Sequence, residues 1–160
     1  AALAARLGLS KAALYHHFSS KEEILETALD EALDGLEGVL AATDAVRPGD
    51  RLAAVLEGGV GVLVAHLPSV TLLLRVRGNS EVERRALERR RAFDQAVTAI
   101  VRAAQEEGAV RADVDASVAT RLLFGMVNSL VEWYRPSGPE GAEALARDVL
   151  AVALDGLRTR

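Results

Sequence analysis

The chain has no cysteine, so disulfide bonds and thiolate metal sites are excluded. Histidine occurs three times and methionine once. No Ser/His/Asp set, no paired catalytic carboxylates and no metal-ligand spacing emerge, which argues against an enzyme and calls for no cofactor. Lysine is confined to Lys11 and Lys21. No apolar run reaches the roughly 18 residues that a membrane helix needs, and no signal-peptide pattern is present. These absences describe a cytoplasmic protein. Strictly alternating β-branched clusters are missing as well, which removes the usual signature of strands.

Half of the 160 residues are hydrophobic, enough for one or two compact units with a real core. Ala, Leu, Arg and Glu dominate, and the pattern is helical throughout, so the fold class is all-α. Breakers divide the chain. Ala1–Leu7 is a short helix stopped at Gly8, and Ser10 caps a second one through Phe18. Ser19 or Ser20 caps a third, to about Ala42, with Glu22 and Glu23 favourably placed in its first turn. Arg47-Pro48-Gly49 reads as a turn, and Asp50 as the cap of a helix to about His66. Pro68 interrupts, a short helix follows near Val70–Val76, and Gly78-Asn79 turns the chain. Three longer helices are expected over Ser80–Glu107, Asp115–Tyr134 and Glu140–Leu157.

The net charge of −4 speaks against a general nucleic-acid coat. Its distribution says more. Residues 1–21 hold Arg6, Lys11 and Lys21 and no acid, whereas Glu22 to Asp44 hold eight acids and no base. Screening limits each charge to about 8 Å, so a local basic patch matters more than the sum. A chance surface asymmetry is the alternative.

Ala4, Gly8 and Leu14 fall in the pattern of a helix-turn-helix: a small residue where two helices cross, a turn residue that tolerates positive φ, and an apolar residue facing back. Any helical corner satisfies that much. The continuation, Leu7-Gly-Leu-Ser-Lys-Ala-Ala-Leu-Tyr-His-His-Phe-Ser-Ser-Lys-Glu-Glu-Ile-Leu25, closely resembles the signature of the TetR family of transcriptional regulators. The resemblance implies a helix-turn-helix DNA-binding domain over 1–29, with a further helix ahead of Ala1, and a ligand-binding and dimerisation domain over 30–160. It also implies a homodimer that represses from a palindromic double-stranded operator until a small-molecule effector binds.

Within the motif, Ser10 and Lys11 sit at a helix N-terminus, where amides and dipole favour a phosphate. Ala12 and Ala13 are small enough to enter the major groove, where their methyls meet thymine. Tyr15 and His16 project from the exposed part of the helix. The resemblance implies phosphate contacts from Tyr15, His17 and Lys21. Tyr15 as a packing aromatic is the alternative. His16 and His17 point about 100° apart on a helix, so a shared metal ion is not expected.

The regulatory part offers candidates rather than a motif. The helix over 80–107 carries Val82, Ala86, Phe93, Val97 and Ile100 in one stripe, with Arg90 among them. A buried arginine needs an anion. That anion is a ligand carboxylate or phosphate, or an acid of helix 22–42, unless the guanidinium sits at the rim. His66 is a ligand donor or a group capping the helix C-terminus. Asn128 reads a ligand or bonds across a dimer. With Leu63, Phe93, Met126 and Trp133, these are the candidate effector residues.

The segment Val131-Glu-Trp-Tyr-Arg-Pro136 also resembles the branch of the family that answers to acyl-CoA thioesters, which implies that Trp133 lines the ligand site. Gly58-Gly59-Val60-Gly61 is no phosphate loop, since no strand precedes it and no Lys-Ser/Thr follows. Three glycines inside a helix instead allow close helix contact or leave room for a ligand.

Two helices have apolar residues on more faces than one core needs. Leu123, Val127, Leu130 and Tyr134, with Leu145, Val149 and Val152, are the candidate dimer face. Leu122, Met126, Ser129 and Trp133 form the other stripe of the same helix. Burial inside one larger monomer is the alternative. A helical interaction module without DNA binding competes as a function, and the basic, acid-free start opposes it.

Overall fold

Ser20 opens the first of the described helices. In the computed structural model, which describes residues 20–44 and 46–156, its extended backbone lets Oγ accept the Glu23 N–H at 3.1 Å. Glu22 and Glu23 then lie in the first turn, where the helix dipole favours acids. This helix, α1, runs Lys21–Ala42 without a break, so the domain boundary expected at residue 29 falls inside one continuous rod.

Five more helices follow: α2 Pro48–Ala65, α3 Leu67–Leu73, α4 Glu81–Glu106, α5 Ala116–Trp133 and α6 Ala142–Asp155. All regular structure among the described residues is helical, in agreement with the all-α expectation. Two starts differ from the sequence reading for one reason. Proline lacks an N–H and has a preset φ, so it suits the first turn of a helix. Pro48 therefore begins α2 where a turn was expected, with Asp50 inside the first turn. Pro68 likewise sits in the first turn of α3, so that helix starts and ends three residues earlier than expected. The last helix begins at Ala142 rather than Glu140, behind the extended Gly141.

The remaining ends match their expected signals. Ser80 caps α4 by accepting the Glu83 N–H at 3.2 Å, and Glu83 turns back to accept the amides of Arg77, Gly78 and Asn79 at 2.8–3.0 Å. Gly78 and Gly108 supply the positive φ values (89° and 77°) of the two turns around α4. Asp115 caps α5 by accepting from the Ser117 and Val118 amides.

The bundle is organised around α2, which packs against every other described helix. Its Leu52, Val55, Leu56 and Val60 are fully buried, each worth about 1.5–3 kcal/mol of hydrophobic stabilisation. Gly58 lets α1 come close: a Cβ there would lie 2.6 Å from the Val39 side chain. No single helix among the described residues is long and apolar enough to cross a membrane. The pair α2–α3 comes nearest, and it bends by 106°.

Candidate functional site

One small cavity lies at the centre of the bundle, with a volume of about 30 Å³. That is room for little more than one water molecule. Its walls come from α1 to α5. Leu36 is the contribution of α1, and Leu63 and Gly59 come from α2. Phe93 and Phe124 close it from α4 and α5 as an edge-to-face pair, 5.2 Å between centroids at 84°. A Cβ on Gly59 would lie 3.3 Å from Phe124, so this glycine leaves space at the wall, while Gly58 serves helix contact.

Arg90 and Asn128 line the cavity beside Asp94. The Arg90 guanidinium is only partly buried, and its nearest hydrogen-bond acceptor is the Leu73 carbonyl at 3.5 Å. The internal ion pair considered for Arg90 belongs to its neighbour instead. Arg89 donates to Asp30 at 2.9 Å, to Asp34 at 2.6 Å and to Glu37 through two bonds of 2.8 Å. One turn away, Arg85 reaches Glu26 at 2.8 Å. The acids of α1 recur every three or four residues and so share one face, which α4 grips with arginine. The signal was present in the spacing of those acids. Helix rotation of about 100° per residue decided which arginine met them.

Asp94 stands at the edge of the cavity, close enough to Arg90 and Arg121 to feel both charges. Burial of its carboxyl raises its pKa, and the two arginines oppose that shift.

Four of the seven candidate effector residues, Leu63, Arg90, Phe93 and Asn128, thus meet at one cavity. Three do not. Trp133 follows Leu122 by three turns, lies on the same outward face and is 51% exposed. Met126 lies on the flank of that face and packs partly against the core. His66 holds Glu31 of α1, Nδ1 to Oε1 at 3.0 Å, while Ser69 donates to the other carboxylate oxygen at 2.5 Å. The residue occupies the cap position between α2 and α3, but its side chain makes no capping bond. Asp94 and Phe124 were missed. The first could have been found four residues beyond Arg90, on the same face.

The candidate dimer face also needs correcting. Leu123, Val127, Leu130, Tyr134, Leu145 and Val149 are all buried inside the single chain. They pack α5 and α6 onto α2 and the neighbouring helices, because those stripes are the ones the bundle itself needs. Only Val152 of the set is exposed. On α5 and α6 the large apolar side chains left outside are Leu122 and Val152, both 66% exposed, together with Val118 one turn before Leu122 and Trp133 three turns after it.

Of the candidate DNA-contacting residues, Lys21 is exposed at the first position of α1. Ser10, Lys11, Ala12, Ala13, Tyr15, His16 and His17 lie outside the described residues.

Comparison with known proteins settles what this architecture is. Residues 45–157 match the model of the tetracyclin repressor-like C-terminal domain, and residues 1–28 match the model of bacterial regulatory proteins of the tetR family. The chain belongs to the TetR family. It is a DNA-binding transcriptional regulator, and the N-terminal match sets aside the reading as an interaction module without DNA binding.

Among solved TetR-family structures, SCO3833 of Streptomyces coelicolor is 50% identical, with a TM-score of 0.83 over 95% of this chain and 78% of that one. PfmR of Thermus thermophilus is 36% identical, with a TM-score of 0.78 over 98% and 87%. Among curated relatives, the HTH-type transcriptional repressor KstR2 of Rhodococcus jostii is 28% identical over 94% of this chain and 76% of its own length.

Proposed function

We propose that this regulator is a repressor that holds operator DNA as a homodimer and releases it when a small amphipathic effector opens the α1–α5 cavity. It acts by binding and does no chemistry of its own. The observation that carries the reading is Leu36. The helix that contributes this wall residue starts at Lys21, so its first two turns lie inside the 1–28 segment that matches the DNA-binding family model. A cavity of about 30 Å³ takes no organic effector as it stands, so binding requires its walls to part, and α1 is one of them. Moving α1 tilts each DNA-binding head, and the two heads leave the one-turn spacing of about 34 Å that successive major grooves demand.

In this reading Ser10, Lys11, Ala12, Ala13, Tyr15, His16, His17 and Lys21 contact DNA, and residues 1–29 act as the head. The dimer forms through the exposed apolar side chains of α5 and α6, with Val118, Leu122 and Trp133 on one face of α5 and Val152 on α6, because exposed apolar side chains of this size call for a partner. The repressor sense follows KstR2, whose name carries it. The effector class is an acyl-CoA thioester, supported by the Trp133-Tyr-Arg-Pro136 resemblance and by an apolar cavity with one arginine at its wall.

The test is operator release. DNA from the regulator's own promoter region should be bound by the intact chain and released by a long-chain acyl-CoA. Gly59→Val, which pushes a branched side chain against Phe124 in the cavity, should still bind the DNA yet resist release, whatever it costs in melting temperature. A Gly59→Val protein that releases DNA as readily as the parent would rule out the cavity as the effector site.

A further inference from the structure

A second hollow lies along the same α4–α5 seam. It is an open cleft of about 430 Å³, lined by Arg91, Gln95 and Arg102 from α4 and by Ser117 and Arg121 from α5. Thr98 and Thr120 form its floor, their hydroxyls 3.2 Å apart, and Thr120 passes its own proton to the Ala116 carbonyl at 2.9 Å. Asp94 lines both the cleft and the central cavity, so the two hollows meet at that residue.

This cleft gathers three arginines with no acid at ion-pair distance among the described residues. Several arginines elsewhere are paired, Arg47 with Glu107, Arg85 with Glu26, Arg89 with three acids and Arg111 with Asp113, whereas Arg77, Arg90 and Arg135 reach only backbone carbonyls and lie apart from one another in sequence. Among the described residues Arg91, Arg102 and Arg121 have no hydrogen-bonded acid, although Arg121 lies near enough to Asp94, and Arg102 to Asp115, for the charges to be felt. Three like charges around one hollow repel one another, and the only carboxylate in the lining is Asp94. Planar guanidinium groups are the side chains best shaped to grip a phosphate through paired N–H donors. The floor has spent its hydroxyl protons inward, so the donors facing the cleft are the arginines and Gln95.

We propose that this cleft is an anion site that takes the phosphorylated head of an effector whose apolar part enters the central cavity, with Arg91, Arg102 and Arg121 as its cationic walls. The assignment rests on the cavity being the effector site. It divides the demand for space between the two hollows: the head is held outside, in volume already present, and only the tail needs new volume. Asp94 stands where head and tail join.

Titration calorimetry of the intact protein with inorganic pyrophosphate, palmitoyl-CoA and palmitate tests this. Pyrophosphate should bind saturably, and Arg102→Ala or Arg121→Ala should weaken it by about tenfold or more, the loss of one charge-assisted contact. Arg147→Ala, on α6 and away from the cleft, should leave it unchanged. The cleft variants should weaken palmitoyl-CoA similarly while leaving palmitate untouched. No saturable pyrophosphate binding, or equal loss in the Arg147 control, overturns the anion site. So does palmitoyl-CoA binding that ignores both cleft substitutions, an outcome that leaves the effector reading standing. Arginine-dependent pyrophosphate binding without any palmitoyl-CoA binding supports the cleft and removes the acyl-CoA reading instead.

Discussion

Arg89 of α4 and Glu37 of α1 face each other fork to fork, with Nε to Oε1 and Nη2 to Oε2 both at 2.8 Å. The same guanidinium holds Asp30 and Asp34. One side chain therefore fixes the sideways position of the helix that leads to the DNA-binding segment. All four groups are partly solvated. Solvent screening consequently limits the expected loss in Arg89→Ala to roughly 1 kcal/mol, read as a lower urea midpoint. Arg89→Lys should recover only part of it, because an ammonium cannot make the paired contact. If alanine and lysine behave alike and neither destabilises, the grip has no energetic weight.

Glu83 accepts three backbone amides of the turn before α4, and those bonds hold its carboxyl below the usual glutamate range. A folded-state pKa below the unfolded one adds stability that is present above the unfolded pKa and fades as pH falls through the folded one. Glu83→Gln should therefore melt lower than the parent near neutral pH, and the gap should narrow as the pH falls below the ordinary glutamate range. A gap that persists in acid would trace the effect to something other than the charge.

Adjacent leucines on α5 should separate assembly from folding. Leu122 is exposed, and Leu122→Glu should leave a folded protein that sediments as a monomer. Leu123 is buried within the chain, and Leu123→Ala should cost about 2–4 kcal/mol in denaturant melts. Sedimentation velocity that finds Leu122→Glu still dimeric would remove this face from the interface.

The glycines of α2 should split in the same way. Nothing lies within 4 Å of a Cβ at Gly61, so Gly61→Ala should stabilise by about 0.5–1 kcal/mol through helix propensity alone. Gly58→Ala presses on Val39 of α1 at 2.6 Å and should lower the melting temperature despite the same propensity gain. Two alanine variants of equal stability would show that α1 yields freely.

Operator affinity should fall steeply with salt if phosphates dominate the contact. Lys21→Ala should weaken binding uniformly across DNA sequences and reduce the log–log salt slope by about one. An unchanged slope would place Lys21 off the backbone.

The all-helical fold was legible because its punctuation is local. Ser20, Ser80 and Asp115 act through side chains that reach amides two or three residues on, Gly78 and Gly108 through their own backbones, and each sits at the end it marked. The prolines misled because one residue type both ends and begins helices, and only the following turn decides which. The candidate site was half legible. Arg90, Phe93, Leu63 and Asn128 could be picked by type and stripe. Which of two apolar stripes on α5 faces inward depends on how the helix is rolled against α2, and that is set by packing with segments far away in sequence. Leu122 and Leu123 differ by one position and by 62% in exposure. No property of α5 alone distinguishes them.

The tightness of the central hollow also bears on dosage. If the resting form leaves no standing volume for a guest, every binding event must first draw on a rarely visited open state, and apparent affinity drops in proportion to that rarity. Low concentrations of stray lipophilic metabolites would then leave transcription untouched. The response threshold of such a switch could be reset by trimming one wall residue, Leu36 or Leu63, without altering a single contact to DNA.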